Sequence, residues 1–163
     1  MTRKEYNICV SELSDRVYGF ALKNSGNTSD AKDIVQESFE RLWVKHDKIA
    51  FDKAKSYLFS TAYHCMIDNH RKIKRMEYSN NMMEEIDPKQ NELDNKQWLQ
   101  EALNKMNEQE KSLILMRDYE GYSYEELGDL TGLSLSQVKV YLFRARKKFR
   151  NWLIELNKIS NVI

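Results

Sequence analysis

The chain has 163 residues, of which 41% are hydrophobic and 31% charged, and its formal net charge is +1. This length suits one ordinary domain or two small ones, and a single proline with five glycines argues against a loop-rich or all-β fold. The near balance of charge excludes a global basic excess as the functional signal, so the placement of the charges matters instead.

The two cysteines, Cys9 and Cys65, lie far apart and fit no zinc-ligand or redox spacing. They predict a reduced, intracellular chain in which each cysteine fills space in the core. Residues 1–16 lack a long apolar segment, and no stretch approaches 18 apolar residues. We therefore expect a cytoplasmic protein without membrane insertion.

Helical periodicity runs through the first half of the chain. An apolar stripe at 13–21 predicts a first helix, which the polar cluster at 24–29 ends. A second stripe at 31–42 follows, with Thr28 or Ser29 as the expected N-cap. A third helix is predicted from about residue 54 and ends in a basic segment at 71–75. No strand pattern competes with these helices.

The composition changes between residues 79 and 96. This stretch contains five acids, one lysine within 79–95 and the only proline, and it has no apolar period. The pattern predicts a linker, either as a plain solvated loop between two helical lobes or with a role of its own.

Capping motifs divide the second half into short helices. Asn107 with Glu110, Ser123 with Glu126 and Ser134 with Gln137 each have the spacing of a capping box. Thr131-Gly132 predicts a turn between a short helix and a long final helix at about 136–154. A short capped helix, a glycine turn and a longer basic helix are typical of a helix-turn-helix.

The final helix has two apolar residues on the face opposite its core stripe. Its core stripe is Val138, Leu142, Ala145 and Phe149, yet Val140 and Phe143 lie opposite, among six basic residues and no acid between positions 139 and 150. Against DNA these two side chains can pack on thymine methyl groups while the cations meet phosphates. Alternatively, they pack on another helix of the chain or on a partner protein.

The third helix also has a second apolar face, formed by Phe59, Tyr63, Met66 and Ile67. Aromatic rings beside a cluster of cations are typical of a single-stranded nucleic-acid binder. The alternative is a helix buried on two sides.

His46, His64 and His70 lack metal-ligand spacing, and no nucleophile elbow, phosphate-binding glycine loop or carboxylate pair is present, so we expect neither an enzyme nor a cofactor or metal site.

Four segments together carry a family resemblance: DAKDIVQESFERLW at 30–43, SYLFSTAYHCMID at 56–68, residues 109–134 and QVKVYLFRARKKFR at 137–150. In this order and spacing the chain resembles bacterial RNA polymerase sigma factors of the sigma-70 family, in the extracytoplasmic-function (ECF) group. The resemblance implies an all-α fold with two small helical domains joined by an acidic linker, the C-terminal one a helix-turn-helix. By this resemblance domain 2 would span residues 5–78, the linker 79–96 and domain 4 residues 97–157.

The family implies a role for each domain. Domain 2 would bind the clamp helices of the largest polymerase subunit and open the minus-10 promoter element, and domain 4 would recognise the minus-35 element and meet the polymerase flap. The polymerase-binding candidates are Asp33, Gln36, Glu37, Glu40 and Arg41. The minus-10 candidates are Tyr63, His64, Asp68, Asn69, Arg71, Lys72 and Arg75. The minus-35 candidates are Ser136, Gln137, Lys139, Val140, Phe143, Arg144, Arg146 and Lys147.

Two positions depart from the family pattern. His64 lies where many members have Asn and Tyr63 where they have Arg, so we expect a different promoter preference. Tyr141 replaces a residue that is often Arg or Ser and flanks the core stripe, which favours a packing role.

The resemblance also implies the partners: bacterial core RNA polymerase, promoter DNA and an anti-sigma factor. The acidic linker would run through the catalytic cleft of the polymerase. Two other classes fit the residues alone. A stand-alone helix-turn-helix regulator would bind duplex DNA as a dimer, but no dimerisation helix is evident after Arg150. A helical adaptor would have basic faces that are only solvated surface.

Overall fold

The computed structural model describes residues 1–80 and 95–160. Within them the chain forms seven α-helices and one short 3₁₀ turn, and no strand, which confirms the all-α class. The helices are α1 (Arg3–Ser25), α2 (Thr28–Val44), α3 (Ala54–Asn80), α4 (Asn95–Asn104), α5 (Glu108–Asp118), α6 (Tyr124–Thr131) and α7 (Leu135–Ser160), with the 3₁₀ turn at Phe51–Lys53. No helix in this described part is long and apolar enough to span a bilayer.

Helices α1, α2 and α3 pack on one another through the three stripes predicted from the sequence. Val17, Ile34 and Leu58 are almost completely buried at their centre. Cys9 and Cys65 are buried and unpaired, as the prediction of core-filling cysteines requires. Burial raises the pKa of the Cys65 thiol to about 11, with the nearby Glu37 carboxylate adding to the rise.

Helices α4 to α7 form the second lobe, in which α6 and α7 make the helix-turn-helix. All three capping boxes form: the Asn107 side chain accepts from the Glu110 backbone N–H (2.8 Å), Ser123 from Glu126 (3.1 Å) and Ser134 from Gln137 (3.2 Å). The stripe of α7 packs as expected, with Val138, Leu142 and Ala145 buried. The buried side of α7 extends to Trp152, beyond the stripe recognised in the sequence.

Two boundary predictions were wrong. The N-cap of α2 is Asn27, whose side chain accepts from the backbone N–H groups of Ser29 and Asp30, and not Thr28 or Ser29. Helix α7 continues to Ser160 instead of ending near 154. The predicted linker lies outside the described residues except at its ends, where α3 extends to Asn80 and α4 begins at Asn95.

The turn between α6 and α7 depends on two glycines. Gly132 ends α6 with φ +76°, a conformation that strains any other L-residue. Gly128, one turn earlier, lies so close to the turn that an added Cβ would come within 3.2 Å of the Leu133 carbonyl oxygen.

The two lobes share one apolar core. Phe59 of α3 lies edge-on to the ring of Tyr122, with centroids 6.1 Å apart. The Ser60 hydroxyl donates to the Leu130 carbonyl (2.8 Å) in the last turn of α6. The C-terminal lobe therefore packs directly on α3, which places helix α7 beside the helix that resembles the minus-10 segment.

Candidate nucleic-acid interface

The first turns of α7 carry an outward apolar pair. Val140 is 45% exposed and Phe143 is 68% exposed, whereas Val138 and Leu142 beside them are buried. Both side chains remain exposed to solvent beside the other described helices, which argues against the alternative that they pack on one of those helices. Tyr141 is half-buried against the core, in agreement with its predicted packing role.

Cations surround this pair, and four of them have no ion-pair partner among the described residues. Lys139, Arg144, Lys147 and Arg150 are exposed and form no ion pair with any residue that the structure describes. Exposed cations without internal partners are available to phosphates, and their placement around an apolar pair suits the edges and floor of a DNA groove.

Arg146 differs from these four. Its guanidinium donates to the Tyr124 hydroxyl (3.2 Å) and lies 3.4 Å from the Asp118 carboxylate. The hydrogen bond from Arg146 to Tyr124 and the negative charge of Asp118 raise the pKa of Arg146. Together with Phe143 and neighbouring cations, Tyr124 and Arg146 line an open recess of about 440 Å³ on this face. Arg146 is thus held by its own domain at the edge of the surface.

Helix α3 has three distinct faces. One packs in the core of α1–α3, and a second, with Phe59 and Met66 buried, packs toward the C-terminal lobe. The third is exposed and holds the following side chains in one stripe: His64, Asp68, Arg71, Lys72 and Arg75. At 100° and 1.5 Å per residue this stripe covers an arc of about 100° and a length of about 17 Å. It is a continuous, largely basic surface next to His64.

Two minus-10 candidates lie off this stripe. Tyr63 is only 4% exposed, and burial raises the pKa of its hydroxyl. Asn69 is half-buried and lines the cleft between α1 and α5 with His70. Phe59, Tyr63 and Met66 are buried, so α3 is covered on two sides at these residues. Of the two alternatives left open by the sequence, this is the doubly buried helix and not the exposed aromatic face.

The polymerase-binding candidates form the exposed face of α2. Asp33, Gln36, Glu40 and Arg41 are exposed and Glu37 is half-buried. Two i,i+4 contacts order them: Gln36 donates to Glu40 (3.0 Å), and Arg41 forms an ion pair with Glu37. The face is therefore polar, mainly acidic and partly preorganised.

The sequence pattern missed the apolar end of this face. Val44 is 75% exposed at the last residue of α2, and Trp43 is 40% exposed with its ring stacked on His46. Val44 and Tyr57 line an open recess of about 490 Å³ with Glu37, Glu40 and Arg41. Exposed apolar residues beside ordered polar ones are typical of the centre and rim of a protein interface. The signal in the sequence was the apolar pair Trp43-Val44 at a helix end.

No group of His, Cys, Asp and Glu side chains in the described ranges could hold a metal ion.

Comparisons with known proteins agree with this arrangement. Residues 9–76 match the family model "Sigma-70 region 2", and residues 96–149 match "Sigma-70, region 4". The chain is 30% identical over 152 residues to the RNA polymerase sigma factor SigV of Bacillus subtilis, covering 92% of this chain and 90% of SigV.

Two further relatives extend the comparison. The ECF RNA polymerase sigma factor SigE of Mycolicibacterium smegmatis is 29% identical, over 88% of this chain, and the match spans 60% of the length of that relative. The sigma factor RpoE of Bartonella quintana, solved with the anti-sigma factor NepR, has the same fold with a TM-score of 0.78, over 92% of this chain and 97% of RpoE at 23% identity.

The matched segments cover both lobes, and the relatives are named as RNA polymerase sigma factors. The chain belongs to the sigma-70 family of bacterial RNA polymerase sigma factors, in its extracytoplasmic-function group.

Proposed function

We propose that the chain directs core RNA polymerase to promoters by recognising minus-35 duplex DNA with α7 and the melted minus-10 strand with α3. The observation that carries the proposal is the outward pair Val140 and Phe143 near the start of a capped helix, exposed among four cations that form no ion pair within the described part of the chain. On a solvated surface such a pair is unfavourable, whereas in a major groove it can contact thymine methyl groups.

In the minus-35 contact, α7 enters the groove with its N-terminus first. Ser136, Gln137 and Lys139 are exposed at that end and can approach base edges or phosphates. Arg144 and Lys147 lie farther along and would meet the backbone. Gln137 already accepts from the Ser134 backbone N–H (2.9 Å), so its side chain serves the cap and is partly fixed before DNA arrives.

In the minus-10 contact, the exposed stripe of α3 would guide the melted strand. Arg71, Lys72 and Arg75 supply positive charge for phosphates, and the His64 ring lies at the start of the stripe for stacking or hydrogen bonding. Melting needs no catalytic residue. It requires that the unpaired bases gain more free energy on this surface than they lose from the duplex.

The acidic face of α2, with Val44 at its end, is the proposed contact with the polymerase clamp. A regulator is also proposed: the solved relative RpoE was crystallised with an anti-sigma factor. By this likeness an anti-sigma partner would bind the present chain and keep it from polymerase.

In vitro transcription with sigma-free bacterial core polymerase tests the proposal. A pool of genomic promoter fragments is transcribed with and without the chain, and defined start sites are expected only in its presence. Tight DNA binding by the chain alone, without transcripts, would instead indicate a stand-alone regulator. If a preparation free of any bound partner showed neither transcription nor DNA binding, the chain would instead be a helical adaptor.

A matched pair of variants assigns the minus-35 contact. Phe143→Ala is expected to lower promoter-specific transcription severalfold, since it removes an apolar contact with a thymine methyl group, while polymerase binding stays unchanged. Phe51→Ala makes the same change at another exposed phenylalanine, outside α7, and should have no effect. Loss of polymerase binding in Phe143→Ala would show that this face was misassigned.

A further inference from the structure

The Arg146 guanidinium of α7 has two partners on other helices of its own lobe. It donates to the Tyr124 hydroxyl at the start of α6 (3.2 Å) and to the Asp118 carboxylate at the end of α5 (3.4 Å). The side chains of Arg146 and Asp118 are 42% and 50% exposed, so water reaches both. Because exposed ion pairs contribute little to stability, an incoming anion can replace Asp118 as the partner of Arg146 at small cost.

The Tyr124 ring is itself held by the end of α5. The guanidinium carbon of Arg117 lies over this ring, 5.2 Å from its centroid, and a cation in that position is attracted by the face of the ring. Arg117 also donates to the Tyr122 carbonyl (2.8 Å), which fixes the guanidinium. Arg117 therefore orients the ring of Tyr124, and the Tyr124 hydroxyl in turn orients Arg146.

The stability of α5 does not account for the carboxylate of Asp118. This residue is the last of α5, and the C-terminus of a helix has a partial negative charge that disfavours a carboxylate. A neutral residue of the same shape would suit the end of the helix better. The contact that Asp118 makes is with the cation of α7, so its role is to be sought there.

The recess beside Arg146 has the charge of an anion site. Its lining contains four cations, two polar side chains, one phenylalanine and no acid: Tyr124, Lys139, Phe143, Arg146, Lys147, Arg150 and Asn151. At 100° and 1.5 Å per residue, Lys139, Arg146 and Arg150 lie within an arc of about 40° over about 17 Å of one helix edge. A row of cations along one edge suits the phosphates of one DNA strand.

We propose that the recess binds a backbone phosphate of duplex DNA through Arg146, that Tyr124 positions Arg146 for this contact, and that Asp118 competes with the phosphate and limits DNA affinity. On binding, Arg146 exchanges the carboxylate for the phosphate, and Asp118 is left to water and counterions. The placement of this phosphate in the minus-35 element rests on the proposed function. Phosphate binding itself does not, because phosphates are the same in every sequence.

Duplex binding by the full-length chain tests the competition without a promoter or polymerase. The probe is a fluorescently labelled duplex of random sequence, titrated between about 50 and 200 mM salt. Asp118→Asn should bind up to about fivefold more tightly than wild type, the factor that corresponds to an exposed ion pair. The slope of log affinity against log salt should steepen by up to about 1, since no carboxylate takes up a counterion when Arg146 leaves it.

Asp129→Asn is the matched control. Asp129 is an exposed acid of α6 and forms no ion pair with the residues that the structure describes. Its substitution removes the same charge from the same lobe, so it should gain far less affinity than Asp118→Asn and keep the wild-type slope. Circular dichroism verifies that each variant keeps its helix content.

An Arg146→Gln background isolates the roles of Asp118 and Tyr124. In that background Asp118→Asn should gain no more than the Asp129→Asn control, because the cation for which it competes is absent. Tyr124→Phe keeps the ring and removes the hydroxyl, so it should weaken binding severalfold in the wild type and add no loss to Arg146→Gln. Equal losses in both backgrounds would show a merely structural role and overturn the positioning by Tyr124.

The remaining outcomes distinguish the parts of the proposal. Equal affinity of Asp118→Asn and wild type, or an equal gain with and without Arg146, would overturn the competition. Absence of duplex binding even by Asp118→Asn would overturn the phosphate site. The transcription assay is read separately: a chain with the expected affinities that directs no transcription would support the phosphate site and contradict the proposed function.

Discussion

Lys148 of α7 donates to the carboxylate of Glu110 over 2.7 Å, and Glu110 is 1% exposed. The same carboxylate oxygen accepts from the Asn107 backbone N–H (3.2 Å) and completes the cap of α5. One buried side chain therefore ties the start of α5 to the middle of α7. It also removes Lys148 from the set of cations that are available to DNA.

Glu110→Ala is expected to lower the free energy of unfolding by about 1–2 kcal/mol. The change removes a capping bond and the ion pair with Lys148, whose partly exposed ammonium can then be solvated by water. Glu110→Gln keeps an oxygen acceptor in place and should cost less. Urea unfolding followed by circular dichroism measures both, and equal stability of Glu110→Ala and wild type would contradict the structural role.

Lys147 and Lys148 are neighbours in sequence with different expected roles. Lys147→Met should weaken promoter binding by the polymerase complex and reduce the slope of log affinity against log salt by about 1, as expected for one lost phosphate contact. Lys148→Met should lower stability and leave the slope unchanged. Salt titrations of the two variants distinguish the roles, and equal slopes would assign both residues to the same surface.

Gly132 and Gly19 should respond oppositely to alanine. Gly132 has φ +76° with nothing near an added Cβ, so Gly132→Ala is expected to cost about 1–2 kcal/mol through backbone strain alone. Gly19 lies inside α1, where an added Cβ meets only the end of Lys23 at 3.8 Å, and Gly19→Ala should stabilise by about 0.5–1 kcal/mol. Thermal unfolding of both variants measures the difference, and stabilisation by Gly132→Ala would exclude the left-handed turn.

The Cys65 thiol should become a destabilising group at high pH. Its pKa rises from an ordinary value near 9 to about 11 because burial disfavours the thiolate. The folded pKa lies above the unfolded one, so the buried neutral thiol contributes to the free energy of unfolding. That contribution is fully present below pH 9 and is lost as the pH rises toward 11. Cys65→Ala should flatten that part of the stability profile. An unchanged pH dependence would show that the thiol does not titrate in this way.

The face of α2 should control affinity for core polymerase. Gln36→Ala with Glu37→Ala breaks both ordered pairs on that face, and Val44→Ala removes its exposed apolar end. Each variant is expected to weaken binding by about 1–2 kcal/mol. Fluorescence anisotropy with labelled chain measures this, with Glu101→Ala as an exposed control on the other lobe. Unaltered affinity in the Gln36/Glu37 variant would contradict the clamp assignment.

Local motifs were the most predictable part of the fold. The Ser123–Glu126 and Ser134–Gln137 boxes could be predicted because all partners lie within four residues. The outward position of Phe143 followed from its angle on the helix. The N-cap of α2 was assigned wrongly because Asn27, Thr28 and Ser29 can all cap, and only the backbone conformation selects one.

The second face of α3 could not be decided from the sequence. Tyr63 has the same angular position whether DNA or another lobe covers it, so periodicity left both alternatives open. The bonds that decide it join residues far apart in the chain, such as Ser60 to Leu130 and Arg16 to Glu120. The same distance in sequence hid the contact between Asn24 and Ser112.

The missing side chain of Gly128 affects the direction in which α7 leaves the turn. Any larger residue there would press on the Leu133 carbonyl and push the turn outward by a few tenths of an ångström. Helix α7 is about 39 Å long, so a small change of its direction at the turn displaces its C-terminal end by a larger distance. In the proposed minus-35 contact, the angle at which α7 would meet the groove therefore depends on position 128 having no side chain beyond a hydrogen atom.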